Sequence, residues 1–168
     1  MFAEIQFTSV TVETVLADYI IRGLMHSRGE ILNFLNDRNY PSFSLHDCEV
    51  HPLAVNRKVE MIRQDVVTIQ KSKVVLVSVL DQGVGEKAQL TVSKRRVTFY
   101  CGQFAIHGQI HVPADAPDED IIDETRDFFG MTEGSVYPLM PVGTEPYAGV
   151  PLILINRMTV EAYSAIHS

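Results

Sequence analysis

Cysteine is scarce in this sequence: Cys48 and Cys101 are the only two among 168 residues. Two thiols cannot build the disulfide framework that stabilises small secreted domains. No apolar run approaches the ~20 residues that a helix needs to cross a bilayer. The first residues also lack the basic segment and apolar stretch of a secretion signal. We therefore expect a cytoplasmic protein with free thiols and no membrane association.

Basic residues are also in the minority, with 14 Lys and Arg against 21 Asp and Glu, a formal net charge of −7. The imbalance lies in residues 97–168, which hold two basic and ten acidic residues. Because such a surface repels phosphate backbones, we do not expect nucleic acid as a partner. The exception is a basic run, Lys94, Arg95 and Arg96, which directly precedes the acidic part.

The chain contains an internal similarity, which is sought first because it changes the interpretation of the whole fold. VETVLADYIIRGLMH (Val12–His26) aligns without a gap with VTFYCGQFAIHGQIH (Val97–His111), at an offset of 85. Four positions are identical: Val12 and Val97, Ile21 and Ile106, Gly23 and Gly108, His26 and His111. Further on, residues 43–69 align with residues 137–163 at an offset of 94, so that LILINRMTVEAY matches KVEMIRQDVVTI. The alignment predicts a duplication; the alternative is two β-rich halves that share only strand preferences.

The pattern of apolar residues predicts the elements of each copy. Alternation over Phe104–His111 predicts a half-buried strand, and the glycine inside it predicts a bend or a close backbone approach. Helices are predicted at Gly29–Asn36 and, after the cap and proline near Asp115, up to Phe129. The later strands of the second copy are predicted at 135–139, 152–156 and 159–164.

These elements predict a β-rich α+β protein of two tandem Sm-like or SH3-like small-barrel modules, each with one inserted helix. Residues 1–72 form the first module and residues 94–168 the second. Residues 73–93 are predicted to be a β-hairpin that connects the two modules.

Two resemblances accompany this prediction. The order strand, bent strand with glycine, strand, and then two apolar strands around the short turn INRMTVEAY is similar to Sm-like small barrels. Because a helix follows the second strand here, the resemblance does not transfer the ring-forming or RNA-binding positions of Sm proteins. The string Thr14, Tyr19, Gly23, His26, ILNFLND and FSLHDCEV resembles a family of uncharacterised bacterial proteins, which implies a fold and no catalytic residues.

Two equivalent pairs, Arg22 with His107 and His26 with His111, are candidate site residues. Either they face one another at a pseudo-twofold axis, where they would bind a metal or an anion, or they are polar residues on outer strand faces. His107 and His111 are about 13 Å apart along a strand, too far to share one metal ion. Cys101 and His107 are about 20 Å apart, so they do not form a nucleophile and base. The acidic segment lacks the glycine and distal Glu of an EF-hand loop. We predict no catalytic, cofactor-binding or metal-binding residues.

The expected function is a non-enzymatic binding, scaffold or regulatory role with self-association as a homodimer or higher homo-oligomer. The basic run Lys94–Arg96 is the predicted interaction surface, together with Arg22, His26, His107 and His111. It would either pair with the acidic segment of a second copy or protect an exposed strand edge. The alternatives are an RNA- or nucleotide-binding small barrel and an enzyme with a site between the modules.

Overall fold

The fold is one antiparallel sheet. The structure, a computed structural model, describes residues 7–81 and 93–166, and over these residues ten strands form the sheet. The strands are β1 (Phe7–Leu16), β2 (Tyr19–Arg28), β3 (Ser42–Pro52), β4 (Ile62–Gln70), β5 (Val74–Val79), β6 (Ser93–Cys101), β7 (Phe104–Val112), β8 (Phe128–Pro138), β9 (Val150–Asn156) and β10 (Ala162–Ile166). One short helix, α1 (Ile31–Asn36), follows β2. The prediction of a β-rich α+β protein is confirmed at this level. In the described part of the chain, no helix has the length and apolar character required to cross a membrane.

The strand order repeats within the sheet. It runs β10-β6-β7-β8-β9-β5-β1-β2-β3-β4. Strands β1 to β5, the first half, therefore follow the order fifth-first-second-third-fourth, and strands β6 to β10, the second half, follow the same order. The two halves meet where β5 pairs with β9, with Leu76 opposite Ile155 and Val79 opposite Leu152. We call this pairing the joint.

The predicted hairpin at residues 73–93 is wrong in its pairing. Strand β5 pairs with β1 and β9, whereas β6 pairs with β7 and β10. Every residue of β5 is buried, whereas Lys94 and Arg96 on β6 are exposed. A strand that is apolar on both faces gains most in the middle of a sheet, between two neighbours that bury it. The predicted turn of the hairpin lies outside the described residues.

The bent strands predicted around Gly23 and Gly108 are present in both halves at equivalent positions. Val12 pairs with Gly23 in the first half, and Val97 pairs with Gly108 in the second. The pairing with the next strand is interrupted at each glycine. A Cβ atom on Gly23 would lie 2.9 Å from the carbonyl oxygen of His46, and one on Gly108 would lie 2.6 Å from the Sδ atom of Met131. Both glycines therefore permit a close approach that a side chain would block.

Beyond these strands the predicted offset of 94 between equivalent residues of the two halves is wrong. The strand pairing gives an offset of 86. Phe43 lies opposite Ile69, and 86 residues later Phe129 lies opposite Ile155. Asp47 and Glu133, again 86 apart, are the two non-glycine residues with positive φ in the described part of the chain, at 52° and 51°. LILINRMTVEAY therefore occupies the place of Val66–Val77. The error of eight residues is even, and an even shift keeps the same residues on the same face of a strand, so the apolar pattern does not reveal it.

The helix predicted in the first half is confirmed in a slightly shorter form, as α1. The helix predicted from Asp115 to Phe129 is wrong: a 3₁₀ turn covers Asp118–Asp120, and Phe128 begins β8. The Asp123 carboxylate accepts hydrogen bonds from the backbone and hydroxyl of Thr125. Such local bonds compete with helix formation in Asp- and Thr-rich segments. The apolar residues of the stripe are still buried, Ile121 in the core of the second half and Phe128 in that of the first.

The core consists of two clusters of buried side chains that meet at the joint. Leu152 and Leu154 of β9 pack into the cluster of the first half, whereas Ile153 and Ile155 pack into that of the second. The cores of the two halves therefore meet across the paired strands β5 and β9. Among residues 7–81 and 93–166 the sheet is not closed, and β4 and β10 are its two outer strands.

Candidate functional site

Arg22 lies at the junction of the two halves, in a buried ion pair. Its Nε donates to Glu13 Oε2 at 2.7 Å, and the Glu13 side chain has no exposed surface. Glu13 Oε1 accepts a second bond, of 2.9 Å, from the backbone N–H of Tyr147. The guanidinium also lies 4.2 Å from the centre of the Tyr147 ring and donates to the carbonyl oxygen of Glu145. These contacts attach the loop between β8 and β9 to the first half and give the Arg22 side chain partners within the chain.

The predicted counterpart of Arg22, His107, has a different partner. Its Nδ1 is hydrogen-bonded to Thr98 Oγ1 at 2.9 Å. Thr98 and His107 stand 85 residues after Glu13 and Arg22 and pair across the strands in the same way. The second half therefore has a histidine–hydroxyl hydrogen bond where the first half has a carboxylate–guanidinium ion pair.

His26 and His111 do not meet at a common site. His26 is exposed, is hydrogen-bonded to Ser9 Oγ at 2.6 Å and packs against the ring of His46 at 4.5 Å between centroids. His111 Nε2 is hydrogen-bonded to Thr132 Oγ1 at 3.0 Å. The strands that carry the two histidines, β2 and β7, are separated in the sheet by β1, β5, β9 and β8. The outer-face interpretation of these histidines is therefore the one that the structure supports.

Burial lowers the pKa of His111, and Lys94, directly opposite on β6, lowers it further, whereas Glu133 raises it. The cationic imidazolium is disfavoured because it would lose solvent and would also stand beside another positive charge. His111 is therefore held neutral, as an uncharged hydrogen-bonding group.

The basic run is divided between the two faces of β6. Lys94 and Arg96 are exposed, but the Arg95 side chain turns inward, where its guanidinium donates to the Ala116 carbonyl at 2.8 Å and to Asp118 at 3.3 Å. The acidic segment thus neutralises Arg95 within the same chain. An open depression of about 400 Å³ remains beside the run, lined by residues 93–96, Gln109, Ala114 and Ile166.

Two tyrosines share the outer face of Lys94 and Arg96. Alternation along β6 places Tyr100 on that face, and Tyr137 joins it because Tyr100 pairs with Ala105 and Ala105 pairs with Tyr137. Both tyrosines are exposed. Our sequence reasoning found no aromatic residue within the basic run and missed this grouping. The signal available was the even spacing of residues 94, 96 and 100 on one strand. Tyr137 could not be added without the register of β7 and β8.

The two thiols are poorly placed for chemistry. Burial raises the pKa of Cys101 to about 11 and also raises the pKa of Cys48. The nearby His107 is hydrogen-bonded to Thr98, and Cys101 pairs across the strands with Phe104. Because the thiolate is the nucleophile, neither cysteine is activated. Within residues 7–81 and 93–166, no three His, Cys, Asp or Glu side chains lie together as metal ligands would.

Comparison with known proteins does not extend this description: no protein-family model matches the chain, and no significant match is found among curated proteins or solved structures.

Proposed function

We propose that this protein is a non-enzymatic binding and scaffold protein of the bacterial cytoplasm that associates with copies of itself. We also propose that its halves are Sm-like small-barrel modules that arose by duplication. The observation that carries both proposals is the repeated five-strand order, which joins one half to the other edge to edge. A unit that already binds a second unit of its own kind has the interface that a scaffold requires.

Three structural details support the duplication. The glycine-centred pairing, the positive φ at Asp47 and Glu133 and the 3₁₀ turns at Lys71–Lys73 and Arg157–Thr159 recur at offsets of 85 or 86. Shared strand preference alone does not account for this, because preference fixes neither register nor the location of unusual backbone angles. The short turn between the last two strands of each half is also the feature that resembles Sm-like barrels.

The positions of the reactive groups support a binding role over catalysis. An active site requires a nucleophile, base or electrophile brought together within hydrogen-bonding distance. Here His26 on β2 and His107 and His111, four residues apart on β7, each bond a different hydroxyl group. The thiols are buried and weakly acidic.

Self-association is tested by light scattering of the purified protein over a series of micromolar concentrations. We expect a mass that is a multiple of 18.8 kDa and that falls on dilution. A mass of 18.8 kDa at every concentration would refute the scaffold proposal.

A second candidate function is the binding of an RNA or nucleotide on the outer face of β6 and β7. The grouping of Lys94 and Arg96 with Tyr100 and Tyr137 favours it, because single-strand binders combine basic grooves with aromatic stacking platforms. The Gln109 Oε1 atom in the same depression is buried without a hydrogen-bond partner among the described residues.

This candidate is tested by titrating the protein with a fluorescent single-stranded RNA at low and high salt. Binding that weakens with salt and is lost in Arg96→Gln would support it. Arg63→Gln, which removes an exposed arginine from β4, is the matched control. Absence of salt-sensitive binding would refute it.

A further inference from the structure

The two outer strands of the described sheet are the structural equivalents of the two strands that pair at the joint. At the joint, the fourth strand of the second half pairs with the fifth strand of the first half. The strands left at the outer edges are the fourth strand of the first half, β4, and the fifth strand of the second half, β10. One edge is therefore the equivalent of β9 and the other the equivalent of β5. An exposed edge of this kind is a template for pairing with another chain.

We infer that β4 of one copy pairs with β10 of a second copy, antiparallel and in the register of the joint. This inference rests on the proposed self-association and names the surface that mediates it. It predicts a head-to-tail contact, in which each copy uses two different edges.

The joint defines the register of the contact. It pairs Leu76 with Ile155, Val77 with Leu154, and Val79 with Leu152. Adding 86 to the number of each β5 residue and subtracting 86 from the number of each β9 residue gives three equivalent pairs between copies. These are Ala162 with Ile69, Tyr163 with Thr68, and Ala165 with Val66.

The exposure of the edge residues fits a contact that is open in the single chain. Val66 is 51% exposed, whereas Leu152, its equivalent at the joint, is 6% exposed. Thr68 is likewise exposed, and its equivalent Leu154 is fully buried. Ile166 on β10 adds apolar surface at 51% exposure. At the joint, the residues equivalent to Val66 and Thr68 cover the core of the adjoining half.

The contact between copies should be weaker than the joint. Ala162, Thr68 and Ala165 take the places of Leu76, Leu154 and Val79, so less apolar area is removed from water. Arg63 and Asp65 also place charges along β4, a feature that disfavours unspecific edge pairing. These properties favour reversible association in one register over aggregation.

A cysteine cross-link tests the edge and its register together. In the double variant Val66→Cys and Ala165→Cys, mild oxidation should link one copy to the next through residues that face each other across the contact. We expect a ladder of multiples of 18.8 kDa on a non-reducing gel. The native thiols should remain unreacted because both are buried with raised pKa values.

Two controls test whether the cross-link depends on both edges and on the proposed register. Each single variant should give no ladder, because a head-to-tail contact never brings two copies of the same edge together. The pair Gln64→Cys and Ala165→Cys moves one cysteine by two residues, to a diagonal Cα separation of about 7–8 Å that a disulfide does not span. It should therefore give no ladder either.

A second experiment measures the association without a cross-link. Val66→Lys places a charge at the centre of the proposed contact and should reduce the oligomer to 18.8 kDa while the circular dichroism spectrum stays unchanged. Leu139→Lys, at a similarly exposed apolar residue directly after β8, which lies between β7 and β9 in the sheet, should leave the oligomer intact.

The outcomes separate this inference from the proposed function. An oligomer that persists in Val66→Lys and gives no ladder would overturn the edge pairing and leave self-association standing. A parent protein that is monomeric at every concentration would overturn both.

Discussion

The joint and the outer edges are built from equivalent strands, yet they differ in the side chains that they carry. At the joint, Leu152 and Leu154 are buried against the first half, and every residue of β5 is buried. At the outer edge, Val66 and Thr68 occupy the corresponding places and remain exposed. The backbone offers the same pairing in both places. The difference shows how side-chain size on an edge strand can turn one sheet geometry into either a permanent core or an open interface.

Truncation of the joint should have the largest effect on stability. Leu152→Ala removes a buried side chain and leaves a cavity, which should lower the free energy of unfolding by about 3 kcal/mol. Val66→Ala, the same change at the equivalent exposed position, should cost less than about 1 kcal/mol. Urea denaturation at concentrations where the protein is monomeric measures both. Equal losses would mean that the joint is packed no more tightly than the open edge.

The ion pair between Glu13 and Arg22, within the first half, should have the next largest effect. Glu13→Gln leaves the Arg22 guanidinium without a counter-charge in a buried site, which should cost about 2 kcal/mol. At the equivalent pair of the second half, Thr98→Val loses one hydrogen bond to His107 and should cost about 1 kcal/mol. The loop that Glu13 holds through Tyr147 should also become more sensitive to proteolysis in Glu13→Gln alone. If this loop stays protected, the ion pair is not what attaches it.

The smallest of the three effects is the pH dependence contributed by His111. Burial and Lys94 lower its pKa in the folded state, whereas the unfolded imidazole titrates near pH 6.5. Between these two values the unfolded state binds more protons, so stability is complete above about pH 6.5 and falls as the pH falls through this window. Below the pKa that His111 has in the folded state, its protonation causes no further loss of stability. Urea midpoints at pH 7 and pH 5 should therefore differ less in His111→Gln than in the parent. An unchanged difference would exclude His111 as its source.

The fifteen-residue match of Val12–His26 with Val97–His111 was predictable because the signal there is local and has no gap. Gly23 and Gly108 stand in the same sequence context, and their close contacts follow from the absence of a side chain. The later offset was not predictable, because alternating apolar residues match equally well after a shift of eight. The helix predicted in the acidic segment is wrong for a related reason. Its apolar stripe is real, but Asp123 and Thr125 form a local turn, and the stripe becomes the start of β8.

The candidate surface was only partly visible in the sequence. Lys94 and Arg96 were identified from their charge, but the sequence did not show that Arg95 turns inward to the acidic segment. Tyr137 joins Tyr100 only through the register of three strands. Arg22 and His107 were recognised as equivalent, yet their partners, Glu13 and Thr98, lie on a neighbouring strand and differ in charge.

By itself the sequence determined the β-rich character, the face of each strand that is buried, and the repeat centred on the two glycines. These properties depend on neighbouring residues, because the two-residue period of a strand is a local rule. The tertiary structure decided which strands lie side by side, above all that β5 joins β9 and that β4 and β10 remain open. The alternation of apolar and polar residues indicates which face of each strand is buried. It gives no information about which strand lies beside it. The neighbour is selected by the fit of large side chains across the whole core, which no single segment encodes.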